Sequence, residues 1–191
     1  MKGEINVMSI LTNAWKHFCV INKHRWIVFK LCTKAGIPWR GFVHDLSKYS
    51  FVEFWEGVKY FSGERSPIVS CRNDMGYSLA WMHHKGRNKH HLEYWEDMNR
   101  YERIPVMMPY QFCVEALCDK LGASMVYKGK DWTPDAPYHY WMNIERGFPV
   151  LKHPGTLEFM DTALTKIKEE GLDAVLNKKY LKALYSRVTE K

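Results

Sequence analysis

An all-α helical bundle is the fold this sequence predicts, on three observations. Apolar residues recur at helical spacing through most of the chain. Gly and Pro fall mainly between those stretches. No segment alternates convincingly as a strand would. The chain has 191 residues, of which 46% are hydrophobic and 15% aromatic. That is enough to bury a substantial core in one domain and too apolar for a disordered chain. No repeat or low-complexity tract interrupts it.

Taken in order, residues 8 to about 34 read as one long helix, with Met8, Leu11, Trp15, Phe18, Val20, Ile21, Val28 and Leu31 as its apolar positions and Gly36 with Pro38 as its end. His17 and His24, seven apart, lie on nearly the same face. A short helix or turn from Trp39 to about Lys48 carries His44-Asp45, and His44 and Lys48 share a face if helix continues through them. Ser50 and Glu53 have capping-box spacing, which starts a helix running to Phe61. Residues 62–73 read as a loop, after which Asp74 can cap a helix leading to His83-His84.

Gly86 leaves two arrangements open. A helix continuing through it stacks His84 on His91 and His83 on His90. A helix ending at Gly86 and Asn88 makes a corner across which two histidines face each other. Glu93, Tyr94 and Trp95 then belong to a polar and aromatic helix. Pro109 opens an amphipathic helix over 110–127, built on Phe112, Val114, Leu117, Leu121 and Met125. A helix is expected over 138–146, a loop from Pro149 to Gly155, and two amphipathic helices over 157–170 and 172–189. Residues 130–191 complete the bundle in this reading, with a lid or a dimer surface, and hence a homo-oligomer, as alternatives.

The formal charge is +7, which favours an anionic partner, either a phosphorylated small molecule or nucleic acid. No long basic run or RNA-binding motif accompanies it, so nucleic acid is not favoured. The longest apolar runs are too short to span a membrane, and Met1–Asn6 does not look like a secretory leader. Five cysteines (Cys19, Cys32, Cys71, Cys113, Cys118), odd in number and without a CxxC pair, suit reduced thiols in a cytoplasm. They are expected to fill the core, not to act as nucleophiles. Trp39, Trp55, Trp81, Trp95 and Trp141 are assigned chiefly to packing.

Chemistry concentrates in the histidines. Four of the nine lie between His83 and His91, a density that points to a metal, a phosphate or proton transfer. In order, the candidates are His24, His44-Asp45, His83 or His84, His90 or His91, and Asp119. Asp119 stands among apolar neighbours and needs a partner, with Glu115 one turn earlier as its alternative. Neutral imidazoles and carboxylates suit Fe, Mn, Zn or Ni better than Mg or Ca.

This ordered set resembles the HD-domain superfamily of metal-dependent phosphohydrolases, whose signature is H…HD…D on a helical bundle. The dinuclear branch adds histidines between the HD pair and the last Asp, as here, and His44-Asp45-Leu46-Ser47-Lys48 is similar to its HD-x-x-K run. The resemblance covers residues 15–125, an HD-like core, with 130–191 as a helical extension. The whole chain is also similar to an uncharacterised family of small bacterial and phage proteins with HDLSK and HH…NKHH motifs. The resemblance implies one or two divalent transition metal ions. His24, His44, Asp45 and Asp119 would hold the first and the central histidines the second, with Asp45 bridging. His84 and His91 are preferred because a continuous helix puts them on one face; His90 is carried beside them. Lys48, with Arg87 or Lys89, would hold phosphate oxygens while a metal-activated water hydrolyses a phosphoester of a nucleotide or related metabolite. Two alternatives are a di-iron oxygenase of the inositol-oxygenase type on the same scaffold, and a non-catalytic nucleic-acid-binding protein with a structural metal.

Overall fold

The computed structural model describes residues 7–190, so the reading of Met1–Asn6 lies outside the described residues. Among those residues it has ten α-helices and one two-stranded sheet, and the all-α fold class holds. No helix among them is long and apolar enough to cross a membrane.

Helix α1 (Val7–Lys34) runs as its periodicity requires. Ile21, His24, Val28, Leu31 and Cys32 form its buried face, whereas Met8, Leu11, Trp15 and Phe18 stay exposed. Periodicity identified an apolar face but not what covers it. Trp15, Trp26 and Trp39 each stack on the phenylalanine three residues on, at ring-centroid distances of 5.9, 5.7 and 5.6 Å. These pairs sit outside the core, with Trp39 69% exposed, which corrects its assignment to packing; Trp55 is also exposed. Trp141 is fully buried and donates its indole N–H to Asp161 at 2.6 Å.

Helix α2 (Pro38–Val43) stops at His44, and a 3₁₀ turn covers Leu46–Tyr49. Asp45 between them has φ 54, the one positive φ outside glycine among the described residues. The helix therefore does not continue from His44 to Lys48. Ser50 caps α3 (Phe51–Lys59), its hydroxyl accepting the Glu53 N–H at 3.4 Å. The expected loop over 62–73 is partly helix: α4 (Pro67–Met75) starts on Pro67 at N1 and stops at Gly76, with φ 77. Asp74 lies inside α4 and accepts the Tyr60 hydroxyl, so it caps nothing. Ser78 instead caps α5 (Leu79–Arg87), accepting the Trp81 N–H at 2.9 Å.

At Asn88 the helix ends, so the corner is the arrangement adopted and His90 and His91 lie beyond it. The expected helix at 93–95 is a single 3₁₀ turn, Leu92–Tyr94. It leads into an antiparallel hairpin, β1 (Glu96–Met98) with β2 (Arg103–Pro105), in register Asp97 to Ile104. Two three-residue strands of mixed polarity carry too little alternation to be seen in sequence.

Helix α6 (Tyr110–Lys128) begins after Pro109 as predicted, but residues 112–118 are buried on every side. It is the central helix and not an amphipathic one: α1 packs on it, as do α8 (Pro154–Glu170) and α10 (Lys178–Thr189). Leu117 and Leu121 share one core with Val28, Phe159, Leu164 and Leu181. The C-terminal helices α8 and α10 thus share the core of α1 and α6. α7 (Ala136–Tyr140) runs into a π-turn at Trp141–Glu145, and α9 (Leu172–Val175) is a separate short helix before α10.

The approach of α1 to α6 depends on Gly122, where a Cβ would lie 2.6 Å from Val28 Cγ2. Gly86, inside α5, has nothing within 4 Å of that position. In urea unfolding, Gly122→Val is expected to cost roughly 1–3 kcal/mol through overpacking, while Gly86→Ala is expected to stabilise by about 0.5–1 kcal/mol. Equal effects at the two positions would show that the helix contact does not constrain the fold.

Candidate metal centre

Four pieces of chain meet at one point beside the α1–α6 contact. α1 brings His24, the turn after α2 brings His44 and Asp45, α5 and the corner after it bring His84 and then His90 and His91, and α6 brings Asp119. Arg25 ties the turn to α1, donating to the His44 carbonyl at 2.8 Å and the Phe42 carbonyl at 2.9 Å. Asp45, His44, His84 and His90 are buried to within 2% of full exclusion from solvent.

The candidate ligand atoms fall into three groups, one of His44, His90 and Glu115 and two that share Asp45. Of those two, His24, His44, Asp45 and Asp119 form the first, and Asp45, His84, His90 and His91 the second; within each, the atoms lie within 4.8 Å of one another. Asp45 Oδ2 is 3.2 Å from His44 Nε2 and 3.6 Å from His24 Nε2. Its Oδ1 is 3.3 Å from His84 Nε2 and 3.5 Å from His90 Nε2. Asp119 Oδ1 lies 3.0 Å from His24 Nε2 and 3.4 Å from His44 Nε2. All seven expected ligands are therefore brought together. His84 and His91 share the second group through the corner, not through a continuous helix.

The outer side of the rings is held by two carboxylates. Glu115 lies 3.0 Å from His44 Nδ1 and 3.2 Å from His90 Nδ1, and Arg40 Nε donates to its other oxygen at 2.7 Å. Glu53 lies 2.7 Å from His84 Nδ1 and 2.6 Å from His83 Nδ1. A carboxylate only accepts, so Nδ1 of His44 and of His84 donates to Glu115 and Glu53, and Nε2 is the ring atom turned toward Asp45. Burial lowers the His44 pKa, but Asp45, Asp119 and Glu115 outweigh it and hold the imidazole well above its ordinary value. This is the outer support that metal-binding histidines commonly have. In sequence Glu53 reads only as a cap, and Glu115 only as an alternative to Asp119. His83, held outside by Glu53, belongs to none of these groups; of the 83/84 pair it is His84 whose ring faces Asp45.

His17 is buried nearby against Phe54 and Phe61, its ring filling the space where Gly57 has no side chain. Burial, with Lys48 close by, lowers its pKa to about 4. Burial pushes the Asp45 carboxyl up, but His44, Lys48 and His84 outweigh it and hold it well below the usual carboxylate range. Burial opposes the Lys48 ammonium, yet Asp45 and Asp119 keep it up at about 12, with Nζ 2.6 Å from Asp45 Oδ2. Arg87 and Lys89 are exposed on the outside of the corner; Arg87 leans on the His83 carbonyl at 3.5 Å and Lys89 lies over the Tyr94 ring. The structure thus places neither in the cavity that borders the cluster. That cavity, about 750 Å³, is lined by Lys23, Lys48, Arg65 and Lys128 along with His24, Asp45, His84, His91 and Asp119.

These residues fit a metal. Both Asp45 oxygens, both ring nitrogens of His90 and His91 Nε2 are buried without a directed hydrogen bond, and the Nε2 atoms of His24 and His44 converge to 3.2 Å. Carboxylate oxygens and ring nitrogens crowded without enough donors in a dry site are satisfied by a cation. The fold and this cluster define an all-α protein with a buried His/Asp site that could hold a metal ion. The chain belongs to a family of unknown function, DUF5662, whose model matches residues 13–166. No curated protein and no solved structure matches it.

Two predictions follow from the outer carboxylates. Glu53→Gln should weaken ion binding by roughly 10–100-fold, measured by competition with a chromogenic chelator. Burial alone would raise the Glu115 carboxyl, but the His44 and His90 rings hold it down at about 2. Its share of stability is full above its ordinary value near 4.5 and is lost as pH falls toward 2. Urea midpoints of chelator-treated protein should therefore drop over that window, and drop less steeply for Glu115→Gln.

Proposed function

We propose that this protein is a metal-dependent phosphohydrolase that cleaves a phosphoester of a small metabolite with water. What supports the reading above all is the division of Asp45, whose two oxygens serve two separate groups of imidazoles, as a carboxylate bridging two ions does. Ions held there would activate water near neutral pH and neutralise charge on phosphate oxygens. Six nitrogen and carboxylate side chains besides Asp45 favour Fe, Mn, Zn or Ni over Mg or Ca, and the HD-like order of the motifs agrees with this. Five free cysteines accord with work in the reducing cytoplasm.

The chain's own groups have distinct tasks in this scheme. Glu53 and Glu115 hold the rings of His84 and His44 so that their inner nitrogens stay aimed at Asp45. Lys48, cationic at neutral pH, is left free to bind a non-bridging phosphate oxygen once Asp45 Oδ2 is engaged elsewhere. Lys23, Arg65 and Lys128 add positive charge along the cavity. That charge supports an anionic phosphoester over the neutral polyol of the oxygenase alternative.

Asn occupies the positive-φ region with little strain, so Asp45→Asn should fold. It is expected to lose bound transition metal and to cut phosphate release from 4-nitrophenyl phosphate by at least about 100-fold, on the order of 3 kcal/mol of barrier. Metal analysis of protein purified without chelator, with a phosphate-release assay, checks both. An ion-free variant with full turnover would overturn the proposal.

A further inference from the structure

A cavity of about 750 Å³ is much larger than a phosphate group needs, so its walls speak to the rest of the substrate. The polar side chains nearest the cluster already have partners. Lys48 is held by Asp45 and Glu53 by His83 and His84. Glu56 accepts the Ser78 hydroxyl and the N–H groups of Leu79 and Ala80, and Lys120 pairs with Glu145. The walls that remain are mostly apolar, with Val20 and Ile21 from α1, Phe61 after α3, Ile68 from α4, Val126 from α6 and Ile144 beyond α7; Glu64, Ser66, Ser124, Tyr127 and Tyr140 are the polar exceptions. Lys23, Arg65 and Lys128 have no carboxylate partner among the described residues, and all three are exposed to solvent.

A sugar or nucleobase placed against those walls would give up hydrogen bonds to water and find few in return. A hydrocarbon or aryl group gains by the same transfer. We propose that the site takes a phosphomonoester of an apolar alcohol or phenol in preference to a nucleotide. The phosphate lies at Asp45 and Lys48, and the apolar body lies between α1 and α6. This rests on the phosphohydrolase reading and names its substrate class. Water oxygen bonds to phosphorus, the P–O bond to the organic group breaks, and the alcohol leaves with a proton from that water, with no change of oxidation state.

The test compares 1-naphthyl phosphate with AMP on ion-loaded protein, and binding of the products 1-naphthol and adenosine by calorimetry. The expected result is kcat/KM at least about tenfold higher for the naphthyl ester, with 1-naphthol binding and adenosine not. Ile144 is 44% exposed, so Ile144→Asn should fold. It should raise KM for the naphthyl ester and weaken 1-naphthol, leaving inhibition by inorganic phosphate unchanged. Equal or better use of AMP, or adenosine binding as tightly as 1-naphthol, overturns this inference and leaves hydrolysis standing. Cleavage of neither ester overturns the hydrolase reading instead, and the calorimetry then decides the apolar preference by itself.

Discussion

Burying Asp45 is the constraint from which the rest of the structure follows. A carboxylate 1% exposed, with neither oxygen in a directed hydrogen bond, is costly in a protein interior unless positive charge reaches it. Lys48 supplies one such charge at 2.6 Å. Imidazoles crowd the remaining space around both oxygens. Rings packed that closely would turn toward any available acceptor, so their orientation has to be imposed from behind. Glu115 and Glu53 impose it, and Glu115 is in turn held by Arg40. Charge is thus balanced outward in layers, and the atoms left without a directed hydrogen bond in the cluster are the innermost ones of Asp45 with those of His90 and His91.

That layering explains why the bundle is built around α6. Glu115 and Asp119 are one turn apart on it, so a single helix supplies both an inner oxygen and an outer support. The helix can do this only if α1 comes close enough for His24 to reach Asp119, which is what Gly122 against Val28 permits. On its other side α6 is covered by α8 and α10, which contribute core and no ligand. The site therefore rests on a helix fixed from both sides, the rigid support that a convergent set of side chains needs.

Much of this was legible in the residues, because the side chains that bind metal are few in kind and their order is informative. His24, His44-Asp45, the 84–91 cluster and Asp119 could all be picked out, as could α1 and α6 from their periodicity. Glu53 could not, because Ser-x-x-Glu spacing also describes a cap, and only the tertiary arrangement shows its carboxylate turned to His83 and His84. Arg87 and Lys89 were misplaced for a related reason: adjacency to the histidines in sequence says nothing about which side of a corner a residue faces. Helix α4 was hidden by Ser62, Gly63, Ser66 and Pro67, which read as loop although Pro67 was the start of a helix. The exposed tryptophans of α1 and α2 show the limit of periodicity, which marks an apolar stripe without supplying its cover.

The wide separation of the contributing pieces, from His24 to Asp119, also bears on how the molecule is made. During synthesis α1 and the His44-Asp45 turn emerge from the ribosome well before α6, and for that interval no carboxylate from α6 stands behind His44 and none completes the set at His24. The nascent chain can form helices early but not the convergent cluster, so the pocket of ligands is a late product of biogenesis that matures only after the central helix is released.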